Sequence, residues 1–308
     1  MIAARLETWA YRAGWAVAKR TPERLVDPAL RAVADQAWRR RGRGVRNLER
    51  NLARAAPETT GAALRDLSRA AMRSYLRYWG EAFRLPSWDP QMLRRRVIPH
   101  HTDRVGDAIA SGRGVVAALP HMGNWDLAGA WACQEVAPLT TVAERLRPDS
   151  LYDDFVRYRA SLGMEVLPLT GGPAPMSVLA RRLREAQFVC LLADRDLSRH
   201  SVEVALLGES ARMPLGPALL AQQTGALLLP VSTSYDTERP GVMHLWVHDE
   251  VPTRPGHAGL AAMTADVAET FGRVIRRDPA DWHMLQRVFA ADLDPYPDGV
   301  ETTADRGR

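Results

Sequence analysis

The sequence predicts an α/β fold, with a mostly parallel central sheet of about seven strands, flanking helices and a helical N-terminal layer. Two observations support this prediction. Residues 1–97 show helical periodicity of apolar side chains throughout, and from residue 112 onward short apolar runs alternate with helical stretches. Because there is no Ser/Gly-rich linker and no internal repeat, residues 1–290 are predicted to form a single domain. Residues 291–308 are too polar to pack and are predicted to form a disordered tail.

The predicted elements follow from the spacing of apolar residues within each segment. In the helical layer, Leu64, Leu67, Ala71, Tyr75 and Tyr78 recur at the spacing of one helix face. The apolar runs predict strands at 114–119, 139–143, 164–169, 187–193, 202–207, 226–234 and 242–248. The remaining segments predict a helix from about residue 125 and further helices at 150–162, 176–186, 215–224, 259–277 and 280–290.

The composition indicates a globular, basic protein. The chain has 308 residues, of which 46% are hydrophobic, and this is enough for a sizeable core. Its formal net charge is +5, and Lys19 is the single lysine, so nearly all the cations are arginine. Arginine favours bidentate phosphate contacts, although a GC-rich genome produces the same bias. The charge favours anionic partners such as phospholipid head groups, nucleic acid or a phosphorylated cofactor.

The cysteines and the N-terminus bear on the cellular compartment. Cys133 and Cys190 lie inside apolar runs, which is typical of buried thiols in a reducing compartment. Charged residues interrupt the apolar residues of the first 20 positions, so a signal peptide or spanning helix is not expected there. The same segment has the pattern of an interfacial amphipathic helix, and a helix packed on its own domain explains the pattern equally well.

Charged residues directly follow several of the predicted strands. In open α/β sheets, ligands bind at the carboxyl ends of the strands, so these positions are candidates for a functional site. The residues concerned are His121, Glu144 with Arg145, Asp194 with Arg195 and Asp196, and Tyr235 with Asp236.

His121 is the strongest candidate because of the residues that follow it. Pro120 ends the strand, Asn124 is a plausible N-cap, and Asp126 falls in the first turn of the next helix. At a strand–turn–helix corner, Asp126 is predicted to accept a hydrogen bond from one ring nitrogen of His121. The other nitrogen would then act as a general base.

Other kinds of chemistry lack their sequence signals. A GxSxG elbow is missing, and neither cysteine stands beside a base, so a covalent intermediate is poorly supported. The sequence has no HExxH or CxxC spacing, which argues against a metal site. It also has no Walker or GxGxxG loop, which argues against nucleotide hydrolysis and dinucleotide redox chemistry.

Three motifs in order resemble those of the bacterial lipid A lauroyl/myristoyl acyltransferase family, which has a glycerolipid acyltransferase-like fold. They are HMGNWD (121–126), ADRDLSRHSVEV (193–204) and LLGESARMPLGPALLA (206–221), and the resemblance extends to about residue 290. Within the family, the sequence is most similar to actinobacterial phosphatidylinositol mannoside acyltransferases. The resemblance implies transfer of palmitate from acyl-CoA to a mannose hydroxyl, without a further cofactor or metal. It also implies peripheral attachment to the cytoplasmic face of the plasma membrane.

The resemblance also assigns roles to individual residues. It makes His121 the base and Asp126 its partner, and it matches Glu144 to an acidic position of the active site. Residues with predicted substrate contacts are Asn124, Trp125, Arg145, Asp194, Arg195, Asp196 and Arg212. Arg145 and Arg195 are candidates for phosphate binding, with ion pairing to Glu144 and Asp194 as the alternative. Trp125, Leu127, Trp131 and Met213 are candidates to line an acyl groove, with ordinary core packing as the alternative.

Three rival functions remain at this point. The acceptor could be another glycolipid, such as a lipid A-type precursor. Asp126 stands where lipid A enzymes more often have Glu, so the motif defines the acceptor less well than the reaction. A second alternative is a lipid-binding protein of the same fold that has no catalytic activity. Nucleic-acid binding by the arginine-rich segment 38–51 is weaker, because no aromatic residues alternate with its basic ones.

Overall fold

The computed structural model describes residues 23–143, 149–169, 174–196 and 201–293. Within these ranges the chain forms ten α-helices and nine strands. The helices are α1 (Glu23–Arg39), α2 (Arg43–Ala55), α3 (Gly61–Arg84), α4 (Pro90–Arg96), α5 (Asp103–Ala110), α6 (Trp125–Glu135), α7 (Asp149–Ala160), α8 (Pro175–Arg184), α9 (Gly216–Thr224) and α10 (Gly256–Arg277). The strands are β1 (Val97–His100), β2 (Val115–Leu119), β3 (Leu139–Ala143), β4 (Met164–Pro168), β5 (Phe188–Leu192), β6 (Ser201–Leu206), β7 (Glu209–Pro214), β8 (Leu227–Tyr235) and β9 (Met243–Val247).

Seven of the strands form one mostly parallel sheet, as predicted. Their order is β1-β9-β8-β2-β5-β3-β4, and the β8–β9 pair is antiparallel. The strands β8, β2, β5, β3 and β4 therefore run in one direction and end at the same edge. This edge is where an open α/β sheet places its ligands.

The central strand β2 shows why the sheet forms here. All five of its residues are buried, as expected for a parallel strand covered by helices on both faces. Val116 and Ala118 belong to one hydrophobic cluster, while Val115, Ala117 and Leu119 belong to another. The alternation of side chains along a strand thus divides the core into two layers.

The helical N-terminal layer comprises α1, α2 and α3, which share a third, smaller core. Val45, Leu48 and Leu52 form the buried stripe of α2, and they pack with Ala71 and Met72 of α3. Burial of each large aliphatic side chain contributes about 1.5–3 kcal/mol. The predicted amphipathic helix within residues 1–20 lies outside the described residues.

Two predictions about strands were wrong. The segment 202–207 was expected in the central sheet, but β6 instead pairs with β7 in a separate antiparallel hairpin. Its place as a seventh strand is taken by β1, an edge strand paired with β9. This short strand contains Pro99 and follows a run of arginines, so no alternating apolar pattern marks it.

The predicted helix at 280–290 is also absent from the described structure. A short 3-10 turn spans Pro279–Asp281, and the chain beyond it contacts the turn that follows β2. Trp282 forms an isolated antiparallel bridge with Met122, and the backbone N–H of His283 donates to the carbonyl of His121 at 2.8 Å. These backbone groups are therefore used in tertiary pairing rather than in a helix.

None of the described helices is both long enough and apolar enough to cross a membrane.

Candidate active site

The turn after β2 carries His121 to the ligand-binding edge of the sheet. Its conformation depends on Gly123, which has a φ of +59°. A Cβ at this position would lie 2.5 Å from Oγ1 and 2.7 Å from the carbonyl oxygen of Thr233. Only glycine fits such a close backbone approach in the left-handed region. The N–H of Gly123 donates to the carbonyl of Asp281 at 2.9 Å, which fixes the turn further.

Asn124 is the N-cap of α6, as the sequence predicts. Its Oδ1 accepts a hydrogen bond from the N–H of Leu127 at 2.9 Å, which satisfies a free donor at the start of the helix. Its Nδ2 donates to Glu81 of α3 at 2.8 Å. Tyr235, at the end of β8, also donates to this carboxylate, at 2.9 Å. Asn124 is fully buried, so in the structure its side chain holds the turn in place.

His121 is paired with Asp194. Nδ1 of the ring lies 2.5 Å from Oδ1 of Asp194, and the backbone N–H of His121 donates to Oδ2 at 2.8 Å. The indole N–H of Trp282 donates to the same Oδ2 at 2.9 Å. Asp194 is completely buried, whereas the His121 side chain remains 23% exposed. The carboxylate therefore holds the ring from inside the protein, and the ring is accessible from outside.

The register of the sheet explains this pairing. β2 and β5 are neighbouring parallel strands in which Leu119 is opposite Leu192. His121 and Asp194 each lie two residues beyond these paired leucines. The ladder continues past the strands, because the N–H of Ala193 donates to the carbonyl of Leu119 at 2.8 Å. The two side chains are therefore brought together by the alignment of the strands.

The electrostatics of the pair leave one ring nitrogen available as a base. Burial alone raises the pKa of Asp194, but the charge of His121 and three hydrogen bonds outweigh burial, so the net shift is downward. An ionised carboxylate only accepts hydrogen bonds, so Nδ1 of His121 carries the donated proton. When the ring is neutral, the remaining nitrogen, Nε2, has a free lone pair.

The prediction that Asp126 orients His121 was wrong in this structure. Asp126 accepts hydrogen bonds from Nε of Arg159 at 2.8 Å and from the hydroxyl of Tyr78 at 2.8 Å. It lies in the first turn of α6, and its buried carboxylate binds α7 and α3 instead of the turn before the helix. The physical reason is that the Arg159 side chain is largely buried beside Asp126, and a buried guanidinium needs a carboxylate partner.

A second buried polar group lies behind the His121 turn. Ser74 of α3 donates to Oδ1 of Asp281 at 2.7 Å and lies 2.9 Å from Nε2 of His283. Burial lowers the pKa of His283 to about 3 and raises the pKa of Asp281 to about 6. His283 is therefore neutral at physiological pH.

A narrow apolar cavity of about 80 Å³ lies between α6 and the sheet. Leu119 and Leu192, which precede His121 and Asp194 in the two strands, line it, as does Trp125. The ring centroid of Trp125 is 5.5 Å from that of His121. Asp126 and Arg159, which form an ion pair, are the charged residues among those that line the cavity. The cavity can thus accommodate a short apolar segment beside the His121–Asp194 pair.

The candidate groove residues divide into two sets. Trp125 and Trp131 line the apolar cavity. Leu127 and Met213 are fully buried in the hydrophobic clusters and do not line it. For these two, the alternative of core packing is confirmed.

In the part of the chain that the structure describes, the remaining candidate residues are not seen in contact with the His121–Asp194 pair, apart from those adjacent to Asp194 in sequence. Glu144 and Arg145 lie outside the described residues. Arg195 and Asp196 are half-buried and directly follow Asp194. Arg212 lies on the β6–β7 hairpin, with its Nε 3.5 Å from Glu203. Within the described ranges, no group of three or more His, Cys, Asp or Glu side chains is arranged to hold a metal ion.

Several residues of the site were not found from the sequence. Trp282 and His283 come from the segment predicted as a helix, and Tyr78 was assigned only to a helix face. Arg159 was not identified at all, since one arginine within a polar helix carries no signal. Asp194 and Asp126 were both candidates, and the equal offset of His121 and Asp194 from their strands was the signal that could have separated them.

Comparison with known proteins identifies the family. The family described as bacterial lipid A biosynthesis acyltransferase matches residues 2–291. A phosphatidylinositol mannoside acyltransferase of Mycolicibacterium smegmatis is 46% identical over 284 residues, which cover 92% of this chain and 91% of the relative. One from Mycobacterium tuberculosis is 45% identical over 289 residues, which cover 92% and 89% of the two chains. The chain therefore belongs to the bacterial lipid A biosynthesis acyltransferase family.

Proposed function

We propose that this protein is an O-acyltransferase that moves a palmitoyl chain from acyl-CoA to a mannose hydroxyl of a phosphatidylinositol mannoside. The family and the names of the two relatives support the reaction class and the acceptor. The observation that carries the proposal is the His121–Asp194 pair, a partly exposed ring with a buried carboxylate, beside an apolar cavity.

In the proposed reaction, Nε2 of His121 takes the proton of the sugar hydroxyl. The oxygen attacks the thioester carbonyl carbon, an ester C–O bond forms, and the C–S bond breaks. The leaving CoA thiolate then receives the proton from His121. Asp194 fixes the tautomer and stabilises the imidazolium, as the carboxylate does in a Ser-His-Asp triad. General base action supplies a factor of roughly 10² to 10⁴, so positioning and oxyanion stabilisation must supply the rest.

The apolar cavity is proposed to hold part of the acyl chain. Each CH₂ group that enters it contributes about 0.8 kcal/mol, and a cavity of this volume takes a few such groups. Trp125 connects the two parts of the site, because it lines the cavity and packs against the ring of His121.

Two buried polar atoms near His121 are proposed to contact the substrates. Nε1 of Trp125 and Nδ1 of His283 have no hydrogen-bond partner among the described residues. The two rings lie 6.2 Å apart. Buried polar groups without partners are rare in folded proteins, and the indole N–H can donate to a carbonyl oxygen. The backbone N–H groups of residues 123–125 are further candidates to donate to the carbonyl oxygen of the substrate. Of these, the N–H of Gly123 already donates to the carbonyl of Asp281.

The remaining predicted residues keep proposed roles. Glu144 is proposed as an acidic residue of the active site. Arg145, Arg195, Asp196 and Arg212 are proposed to bind the polar parts of acyl-CoA or the phosphoinositol acceptor. Peripheral attachment to an anionic membrane at the cytoplasmic face is proposed on the basis of the lipid substrates and the net positive charge.

Replacing His121 with alanine tests the proposal. We expect transfer from palmitoyl-CoA to fall by at least about 10²-fold, because the base is removed. His257→Ala is the matched control, since His257 is an exposed histidine on α10. Turnover is measured with labelled palmitoyl-CoA and a panel of glycolipids, and folding by circular dichroism. Activity of His121→Ala close to that of the control would refute the proposed mechanism. Acyl-chain binding without turnover in the unmodified protein would instead support a non-catalytic lipid-binding protein.

A further inference from the structure

A second cavity, much larger and more polar, lies on the other side of α3. Its volume is about 890 Å³, and its walls come from α1, α3, the loop after β8 and the end of α10. Arginine is prominent among the residues that line it. The six are Arg31, Arg69, Arg73, Arg77, Arg96 and Arg277.

Three of these arginines form a row along α3. Arg69, Arg73 and Arg77 are spaced four residues apart, so they lie on one face of the helix at intervals of about 6 Å. All three line the cavity. The row is visible in the sequence, but only the fold shows that it borders an open space.

The row carries more positive charge than its nearest partner neutralises. Arg69 and Arg73 both bind Asp35 through two nitrogens each. Their hydrogen bonds hold the pKa of Asp35 well below its usual range. Two guanidinium groups thus share one directly bonded carboxylate, and the exposed Asp66 adds a more distant negative charge near Arg69.

Arg77 has unused hydrogen-bonding capacity. Its Nε donates to Glu81 at 2.8 Å, and its guanidinium carbon lies 3.5 Å from the ring centroid of Tyr235. Its Nη2 is buried and has no hydrogen-bond partner among the described residues. Guanidinium groups with free N–H donors bind phosphate oxygens in a forked geometry.

Six carboxylates also line the cavity, as many as the arginines, but the inner ones have partners. Glu81 is bound by Arg77, Asn124 and Tyr235. Asp236 binds Arg239 and His244, and Asp278 binds Arg277. Asp281 accepts from Ser74 and from the N–H of Tyr235, and burial raises its pKa to about 6. Two further residues, Asp27 and Asp66, are exposed at the rim.

The floor of the cavity is connected to the His121 turn. Ser74 and Asp281 line it, and the carbonyl of Asp281 holds the N–H of Gly123. A ligand in the cavity would therefore lie one layer of side chains behind the proposed active site.

We propose that this cavity binds the phosphate group of a ligand through the arginine row of α3. The ligand is either an anionic lipid head group or a free phosphorylated metabolite, since both present the same group. The site is distinct from the acyl-chain cavity and does not depend on the proposed reaction.

Calorimetric titration with glycerophosphoinositol and with inorganic pyrophosphate tests the site. The test variant is Arg73→Gln, which leaves Arg69 paired with Asp35. The matched control is Arg65→Gln, one turn before the row, because Arg65 binds Glu49 and does not line the cavity. We expect Arg73→Gln to weaken binding about tenfold or more, as a lost charge-assisted contact does. Arg65→Gln and His121→Ala should bind like the unmodified protein.

Sedimentation with phosphatidylcholine vesicles, with and without phosphatidylinositol, distinguishes the two sources. Loss of phosphatidylinositol-dependent sedimentation in Arg73→Gln identifies a lipid head group. Unchanged sedimentation together with weakened pyrophosphate binding identifies a free metabolite.

The proposal is overturned if neither soluble probe binds and Arg73→Gln sediments like Arg65→Gln. It is also overturned if both variants weaken binding equally. These measurements follow binding and not acyl transfer. A negative result would therefore overturn the phosphate site without bearing on the proposed reaction.

Discussion

Asp194 and Asp126 are two buried aspartates near the same edge of the sheet, and they differ in their partners. Their exposed fractions are 0% and 1%. Each accepts three hydrogen bonds, Asp194 from His121 and Trp282, and Asp126 from Arg159 and Tyr78. The two carboxylates are therefore alike in burial and in number of hydrogen bonds. They differ in the basic group that they bind, which is an imidazole for Asp194 and a guanidinium for Asp126.

This difference separates a site that can move protons from one that cannot. Arg159 stays charged at any ordinary pH, so the Asp126 cluster is a fixed ion pair that joins α6, α7 and α3. An imidazole, unlike a guanidinium, can both accept and release a proton, and the His121 ring is accessible, so the Asp194 cluster can support acid–base chemistry. A buried carboxylate near a histidine therefore indicates an acid–base pair only if that carboxylate is bound to the histidine and not to another cation.

The largest expected effect comes from Asp194→Asn, which should lower kcat by about 10³-fold or more. An amide can donate to Nδ1, which favours the wrong tautomer of His121 and removes the charge that stabilises the imidazolium. Steady-state transfer of labelled palmitate measures this loss. Asp126→Asn is the matched comparison, since it makes the same change in the arginine cluster. A greater loss of kcat in Asp126→Asn than in Asp194→Asn, with both proteins folded, would reverse the assignment of the two residues.

Arg159→Gln should act mainly on stability. It leaves Asp126 buried without its cation, and breaking a buried ion pair in this way destabilises a protein by about 3–5 kcal/mol. Urea unfolding followed by circular dichroism measures the change. The double variant Arg159→Gln with Asp126→Asn is the control, and it should recover part of the lost stability because the uncompensated charge is gone. Stability equal to that of the unmodified protein would show that the pair is not structural.

A smaller effect is expected at His283, the buried neutral ring behind His121. Because burial lowers the pKa of His283 to about 3, the unfolded chain binds a proton that the folded protein does not. Stability should therefore fall as pH decreases below about 6.5, by about 2 kcal/mol at pH 5 relative to pH 7.5. His283→Gln removes this loss and keeps a donor for Ser74.

The difference in pH dependence between the two proteins isolates His283. Asp281 acts in the opposite direction, because burial raises its pKa to about 6 and its protonation favours the fold as pH falls. Its contribution is present in both proteins and cancels when the two curves of unfolding free energy against pH are subtracted. Identical curves would mean that His283 is not buried as a neutral ring.

The sequence was sufficient for those parts of the fold that depend on local pattern. The apolar runs ending before His121 and Asp194 predicted β2 and β5 to within one residue, because a strand buried on both faces is continuously apolar. The edge strand β1 was not predicted, since a strand with one partner needs little apolar pattern. The expected helix after residue 280 was wrong, because its backbone pairs with the turn at 121–123, a contact with no local signal.

For the candidate site, the sequence predicted Asp126 as the partner of His121, whereas the structure pairs His121 with Asp194. Asp126 is close in sequence, whereas Asp194 is 73 residues away and is brought near by strand order. The order of strands in the sheet depends on the packing of all the helices, so it could not be read from one segment. The arginine row of α3 was similarly present in the sequence without the cavity that it borders.

The shared register of β2 and β5 means that the base and its carboxylate are already assembled before any lipid arrives. Interstrand hydrogen bonds, not a closing loop, set their separation. Substrate entry therefore incurs no conformational penalty for building this dyad. In the proposed reaction, slow rearrangements would then fall on the narrow path of the acyl chain and not on the His121–Asp194 pair.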